Sequence, residues 1–318
     1  MEQISKNPIE FVVSTNFEEW DLFIGSSPVA NIFRTSSFLR SLLIDFEISV
    51  LKINNVIEIG IVMFFDSDRN VIEPPFSMYT GIIFREENKK KRIFSEKYFE
   101  YFDCFLKQIT SRNKHLIFDL HYNFSDVRPI SWFNYGESQT FKFIPYYTGI
   151  VEIGDLDFES YLRQISKSKY REYFKSKKLG LTIQLSTSIK DLQILYSNTH
   201  KRQGISISET ILAQIESIAR SAISNNYGVI YVVKNSDGII ISSQLTLFYN
   251  DTAYFLIGGN MPEYRNLYSS NFIILEMIKL CIDKGLKHVD LCGMNSPNRA
   301  LTKSYYNTLL TEYFKIKY

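Results

Sequence analysis

Residues Thr252–Leu291 read TAYFLIGGNMPEYRNLYSSNFIILEMIKLCIDKGLKHVDL. Thr252 to Ile257 is apolar and runs into Gly258-Gly259-Asn260, so a strand ends where the backbone needs a positive φ or a close approach. Tyr268 to Lys284 then places Phe272, Leu275, Ile278 and Ile282 at helical spacing, with Gly285 as a natural C-cap. His288 to Leu291 is a short closing strand. Upstream, Gly228–Lys234 and Ile239–Tyr249 flank the turn Asn235 to Gly238, which predicts a hairpin feeding the strand at Thr252. The order is hairpin, strand ending at glycine, helix, strand.

The first part of the chain reads the same way. Ile48–Ile53, the turn Asn54-Asn55 and Val56–Phe65 predict a hairpin; an extended segment through Pro74-Pro75 ends at Tyr79-Thr80-Gly81. Phe94–Ile109 is an amphipathic helix and Lys114–Leu120 a strand. Lys114 to Leu120 and Lys287 to Leu291 share the order Lys-His, apolar residues, Asp-Leu, and with the ordered elements this points to an internal duplication. At 318 residues two domains fit the length. The expected fold class is α/β (α+β): two tandem units, residues 1–148 and 149–318, each a mixed, mostly antiparallel sheet flanked by helices. The last ~10 residues are expected to return to the first unit.

Composition excludes several classes. The hydrophobic share of 45% and charged share of 22% describe an ordinary folded chain rather than a disordered or fibrous one. A net charge of +2 is too small to argue for a DNA-binding protein, although the two parts carry −3 and +5. Aromatic residues at 15% predict a large aromatic core and tyrosine-lined clefts. Cys104, Cys281 and Cys292 have no CxxC spacing and are expected reduced and buried, in a cytoplasmic protein. Met1–Glu10 lacks an export signal, and the longest apolar runs are too short to span a bilayer. The histidines His115, His121, His200 and His288 lack metal-ligand spacing, and no GxSxG, Walker A or GxGxxG motif occurs.

Three segments carry candidate chemistry. Tyr161–Gly180 holds Arg163, Lys167, Lys169, Arg171, Lys175, Lys177 and Lys178 against Glu172, a basic face beside Tyr170, Tyr173 and Phe174 that attracts phosphates or is a solvated surface. In Thr199–Gly204, Arg202 beside Gln203 and Gly204 is either a bidentate phosphate ligand or a surface arginine, and Ser208 reads as the N-cap of the following helix. Asp290 at a strand end, Asn295, and Lys303 after a loop are candidates for one cleft, where a lysine ammonium stabilises an oxyanion. Tyr79, Tyr254, Tyr264 and Tyr305 fall near these segments.

The order Lys169-Tyr170-Arg171, Lys178-Leu179-Gly180, Lys201-Arg202-Gln203-Gly204, Tyr254 to Gly259, Lys284-Gly285, Asp290-Leu291-Cys292-Gly293 and Lys303 resembles the Fem-like branch of the GNAT superfamily. These are tandem GNAT acyltransferases, including peptidyltransferases of peptidoglycan cross-bridges. Pro74-Pro75, Tyr79-Thr80-Gly81 and Asp126 to Trp132 resemble its first half. The resemblance implies an active cleft in the second unit, with the first lending a wall of the acceptor site. Arg202 would then bind a phosphate of a nucleotide- or lipid-linked glycan precursor, with Gln203, Gly259, Asn260, Tyr264 and Arg265 nearby. Lys169 and Arg171 would belong to the donor surface, Lys303 would be the transition-state lysine, and Asp119 the carboxylate near the acceptor amine. Thr302-Lys303 and Tyr306-Asn307 stand where the family has phenylalanine-lysine and phenylalanine-glycine. Arg265 to Ser270, the pyrophosphate loop of a CoA-using GNAT, lacks glycine, which suits an aminoacyl-tRNA donor; acyl-CoA is the alternative co-substrate, with no tightly bound cofactor. Ser206–Asn225 has room for a single helix, so no coiled-coil arm is expected. The further alternative is a non-catalytic binder of an anionic glycan or RNA. Membrane contact is expected only through a lipid-linked substrate.

Overall fold

The computed structural model of the chain describes residues 8–85 and 96–318. The expected helix start at Phe94 and the residues Met1–Asn7 of the leader reading lie outside them. The chain divides into two compact units, one running to Tyr146 and completed by Glu312–Tyr318, the other Tyr147–Thr311.

In the first unit, β1 (Ile9–Ser14), α1 (Phe17–Gly25) and α2 (Ser36–Ser41) precede the hairpin β2 (Asp45–Ile53) and β3 (Val56–Phe65). Asn54 and Asn55, with φ of 51° and 65°, make the two-residue turn that matches the strand twist. β1 pairs with β2, and β4 (Val71–Ile72) and β5 (Ile83–Phe84) both pair with β3. The extended segment expected through Pro74-Pro75 is therefore strand only at Val71–Ile72. Prolines donate no N–H, and Phe76 and Tyr79 take left-handed φ of 60° and 55°, so pairing resumes only after Gly81. α3 (Glu96–Arg112) buries Phe102, Phe105, Leu106 and Ile109. β6 (Ile117–Asp119) and α4 (Arg128–Ser131) follow, and then β7 (Lys142–Glu152), within which the chain passes to the second unit.

The second unit continues with α5 (Phe158–Leu162), α6 (Lys167–Lys178), β8 (Thr182–Ser186), α7 (Ile189–Lys201), α8 (Glu209–Ser224), β9 (Gly228–Lys234), β10 (Ile240–Tyr249), β11 (Thr252–Asn260), α9 (Ser269–Asp283), β12 (His288–Asp290) and α10 (Pro297–Ser304). The last strand, β13 (Leu309–Lys317), carries the chain back to the first unit, where it pairs with β6. The strand order β7, β12, β11, β10, β9, β8 is antiparallel throughout except for the parallel pair β11–β12. Ser166, Ser188 and Ser208 cap α6, α7 and α8 through their hydroxyls. α9 lays Phe272, Leu275 and Ile278 on this sheet beside Tyr161, Tyr173, Phe255 and Tyr306.

Gly259 needs close approach rather than a positive φ: a Cβ there would overlap the backbone carbonyl of Leu195 on α7. Asn260 N–H donates to Thr199 Oγ1 at 2.9 Å, so the end of α7 is pinned to the end of β11. Gly259→Ala is expected to destabilise the protein by more than about 2 kcal/mol, because two backbones have to part. Urea unfolding followed by circular dichroism measures it.

Candidate functional site

β11 and β12 run side by side only from Thr252–His288 to Tyr254–Asp290. Beyond that point β12 ends, while β11 continues to Asn260 and takes in one extra residue, Leu256, as a bulge against β10. A bulge bends its strand, so the edge of β11 from Phe255 onward is left open toward the loop after β12.

That loop is fixed by a buried carboxylate. Asp290 Oδ1 accepts from Thr148 Oγ1 at 2.5 Å and from Cys292 N–H at 2.8 Å, and Thr148 Oγ1 accepts from Gly293 N–H at 3.3 Å. Cys292 and Gly293 are left-handed, with φ of 56° and 65°. Their carbonyls receive the Lys303 ammonium: Nζ donates to Gly293 O at 2.7 Å and to Cys292 O. Lys303 stands on α10, rather than in a loop. Two of its three N–H bonds are spent on the loop and one remains. Burial lowers its pKa below the ordinary lysine value, with Cys292 and Asp290 opposing. The Phe255 backbone N–H faces the Cys292 sulfur, whose thiol is pushed well up by burial. Cys281 is buried, as expected, but Cys104 and Cys292 are only half-buried; all three are free thiols.

The structure gathers some expected residues and separates others. Gly259 and Asn260 end β11, with Arg202 and Gln203 exposed just past the pinned end of α7. Tyr264 and Arg265 lie on the short kinked 3-10 helix Pro262–Leu267 that follows β11, Tyr264 packed on the core and Arg265 exposed. Tyr268, left-handed at φ 59°, joins it to α9. Lys169 and Arg171 are on α6, which leans on α9 through a Tyr173–Phe272 stack and Tyr173 Oη donating to Glu276 at 2.6 Å; Lys169 pairs with Glu172 at 2.8 Å, while Arg171 is exposed. Three residues expected to line a cleft serve as framework. Tyr254 and Asp290 are core, because both sit in the paired part of the sheet, and the Asn295 amide spends Oδ1 and Nδ2 on the backbone of Tyr147. Tyr305 is partly exposed, and its carbonyl accepts from Ser166 N–H. A cavity of about 310 Å³ on this unit is lined by Asp157, Glu159 and Lys279 together with Tyr173, Phe174 and Lys177 of the expected basic face, and by none of the other expected site residues.

The first unit holds a second polar cluster. Gly81 N–H donates to Asp119 O at 2.7 Å, and a Cβ on Gly81 would lie 2.6 Å from the Phe118 ring, so this approach requires glycine. Arg34, fully buried, donates Nη1–H to Gly81 O, while its Nε and Nη2, the Asp119 Oδ1 and the His121 Nε2 have no hydrogen-bond partner among the described residues. Lys315 stands 4.0 Å from Asp119, pairs with Glu73, and lies over the Tyr146 ring at 4.5 Å. Burial pushes the Asp119 carboxyl up to about 6, against Lys315 and Arg34. Burial also brings Arg34 down to about 9 and His121 to about 3. Tyr79 is fully buried and packs edge-on to His121, so it walls this cluster from inside. Arg34 and Lys315 carry no local signal in the sequence, since their side-chain partners Gly81 and Glu73 are 47 and 242 residues away.

Among the described residues no group of His, Cys, Asp and Glu is placed to hold a metal ion, and no helix is long and apolar enough to cross a membrane. Residues 161–300 match the acetyltransferase (GNAT) domain family. No protein of curated function matches the chain by sequence. Among solved structures, FemX is similar at TM-score 0.67, with 13% identity and 96% of each chain covered. A tandem GNAT protein from the clavulanic acid biosynthesis pathway is similar at TM-score 0.54, with 8% identity and 98% of each chain covered. L-PGS from Bacillus licheniformis is similar at TM-score 0.52, with 10% identity and 82% and 81% of the two chains covered. The chain shares the fold of these structures, the tandem GNAT protein among them, and residues 161–300 are the part that matches the acetyltransferase (GNAT) domain family.

Proposed function

We propose that the protein moves an acyl or aminoacyl group from an activated donor to an amine of a peptidoglycan or cell-surface glycan precursor, with the chemistry in the second unit. The observation that carries this is that β11 outruns β12 beyond the Tyr254–Asp290 pair while the Lys303 ammonium is held on the carbonyls of the loop in which β12 ends. The amine nitrogen attacks the donor carbonyl and a C–N bond forms. The C–O bond of an aminoacyl ester, or the C–S bond of a thioester, breaks, and the amine loses a proton. The third N–H of Lys303 is the donor available to the oxyanion, and positioning supplies much of the remaining rate. We assign Arg202 to a phosphate of the acceptor, because its exposed guanidinium follows the pinned end of α7.

FemX and L-PGS among the similar structures support the aminoacyl reading, as does the glycine-free turn Arg265–Ser270. The family match of residues 161–300 and the N-terminus of α9, opening directly behind that turn, favour acyl-CoA. Calorimetric titration with acetyl-CoA separates the two. Micromolar binding assigns the donor to CoA, and silence leaves the aminoacyl ester.

Lys303→Met is expected to lower kcat by about a hundredfold with little change in KM, and Lys303→Arg to restore part of it. Unchanged turnover would remove Lys303 from the chemistry. Asp119 supplies a test by stability. Its folded pKa, about 6, lies above the ordinary 3.8, so the folded state binds more protons than the unfolded state between those values. Stability is therefore lost as pH rises from about 4 to about 6. Asp119→Asn is expected to gain about 1–3 kcal/mol over the parent at pH 7.5 and nearly nothing at pH 4, measured by urea unfolding at both.

A further inference from the structure

Two cations stand one helical turn apart on α10. Arg299 and Lys303 are at i and i+4, so they share a face of the helix, about 6 Å apart along its axis. Like charges at this spacing destabilise a helix. No aspartate or glutamate occurs in residues 291–311 to offset them, and neither cation has an ion pair within 4.0 Å among the described residues. Asp290, just ahead of this stretch, is buried and already accepts from Thr148 and Cys292. Lys303 is bound to the carbonyls of Cys292 and Gly293, whereas the Arg299 side chain is exposed and donates to no described residue.

The surroundings of Arg299 are those of the proposed site. Beyond its last pair with β12, β11 passes two landmarks. The Phe255 N–H faces the sulfur of Cys292, in the loop that holds Lys303. Four residues on, a Cβ on Gly259 would lie 2.3 Å from the backbone nitrogen of Tyr196 on α7, whose half-buried ring packs on His200 at 4.1 Å. The charge of Arg299 is felt at both landmarks. Burial lowers the Lys303 pKa and Arg299 adds to that, against Cys292 and Asp290; burial raises the Tyr196 hydroxyl, and Arg299 opposes it.

An oxyanion forming at Lys303 uses one of the two cations and leaves the other for a second negative charge. A guanidinium is a planar fork of donors that matches a phosphate or a carboxylate. The diphosphate of an acyl-CoA is separated from its thioester by the whole pantetheine arm, so it does not reach Arg299 while the carbonyl is at Lys303. We propose that Arg299 binds an anionic group, a phosphate ester or a carboxylate, that the substrate carries within about one helical turn of the carbonyl held at Lys303. A nucleotide ester of an amino acid meets this requirement through its nearby phosphate, and an acceptor residue through a carboxylate close to its amine. This anion is separate from the phosphate assigned to Arg202, which follows α7 and not α10.

The proposal rests on the reading that acyl transfer takes place at Lys303, but its test contains no acyl donor. The full chain is incubated with pyridoxal 5′-phosphate, whose aldehyde and phosphate arm stand on neighbouring ring carbons, and with 5′-deoxypyridoxal, the same aldehyde without the phosphate. The aldehyde condenses with the deprotonated Lys303 amine to an imine with loss of water. Borohydride reduces the imine to a secondary amine, and peptide mass spectrometry reads the label on Lys303. The phosphate-bearing aldehyde is expected to label Lys303 about tenfold or more faster than its phosphate-free analogue. Arg299→Gln is expected to abolish that preference and Arg299→Lys to keep part of it. Both variants are expected to melt at the parent temperature, because Arg299 is exposed and bonds to no described residue. Absence of label on Lys303, equal labelling by the two aldehydes, or an undiminished preference in Arg299→Gln overturns the proposal. Adenosine 5′-monophosphate and N-acetylalanine are then added as competitors: protection by the first names a phosphate ester, protection by the second a carboxylate, and protection by neither overturns the proposal. The turnover of Lys303→Met is a separate measurement, so failure of the labelling and failure of the acyl-transfer reading are told apart.

Discussion

The second unit turns on one buried carboxylate. Asp290 ends β12 inside the sheet, and a carboxyl group buried there is costly unless it is hydrogen-bonded. The hydroxyl of Thr148 and the N–H of Cys292 both donate to its Oδ1, and the chain leaves through two successive left-handed residues, Cys292 and Gly293. The carbonyls of that loop hold the Lys303 ammonium. The placing of the lysine is thus inherited from Asp290, and the open edge of β11 from the Leu256 bulge. Replacing Asp290 would disturb the site without any contact to substrate.

Much of this fold is legible in the sequence because its signals are local. The hairpins, the helix from Ser269 and the Ser208 cap follow from periodicity and turn chemistry within fifteen residues. Asn54-Asn55 is readable for the same reason. The segment through Pro74-Pro75 was not, since whether an extended stretch pairs depends on where β3 offers a free edge, and the prolines and two left-handed residues postpone pairing to Ile83.

The sites are less legible. Asp290 is placed by strand-end logic, but that the Lys303 ammonium is held by the Cys292–Gly293 loop depends on the left-handed backbone between β12 and α10. Tyr254 reads as a cleft residue because aromatic side chains serve cores and clefts alike, and only the pairing with Asp290 puts it inside. The Arg34–Asp119–His121 cluster is invisible to any window, being assembled from two distant segments, with Lys315 coming from the last strand.

That last strand has a temporal meaning. Residues Glu312–Tyr318 belong to the unit whose other residues come first in the chain, and they pair with Ile117–Asp119. Domains usually fold in the order in which they are synthesised. Here the first unit is covalently interrupted by the whole of the second, so its sheet stays incomplete, with β6 lacking this neighbour, until the residues up to 318 have left the ribosome. The second unit, contiguous from Tyr147 to Thr311, is able to fold ahead of it. Assembly thus runs from the middle outward, and the cluster at Asp119 is among the last parts to form.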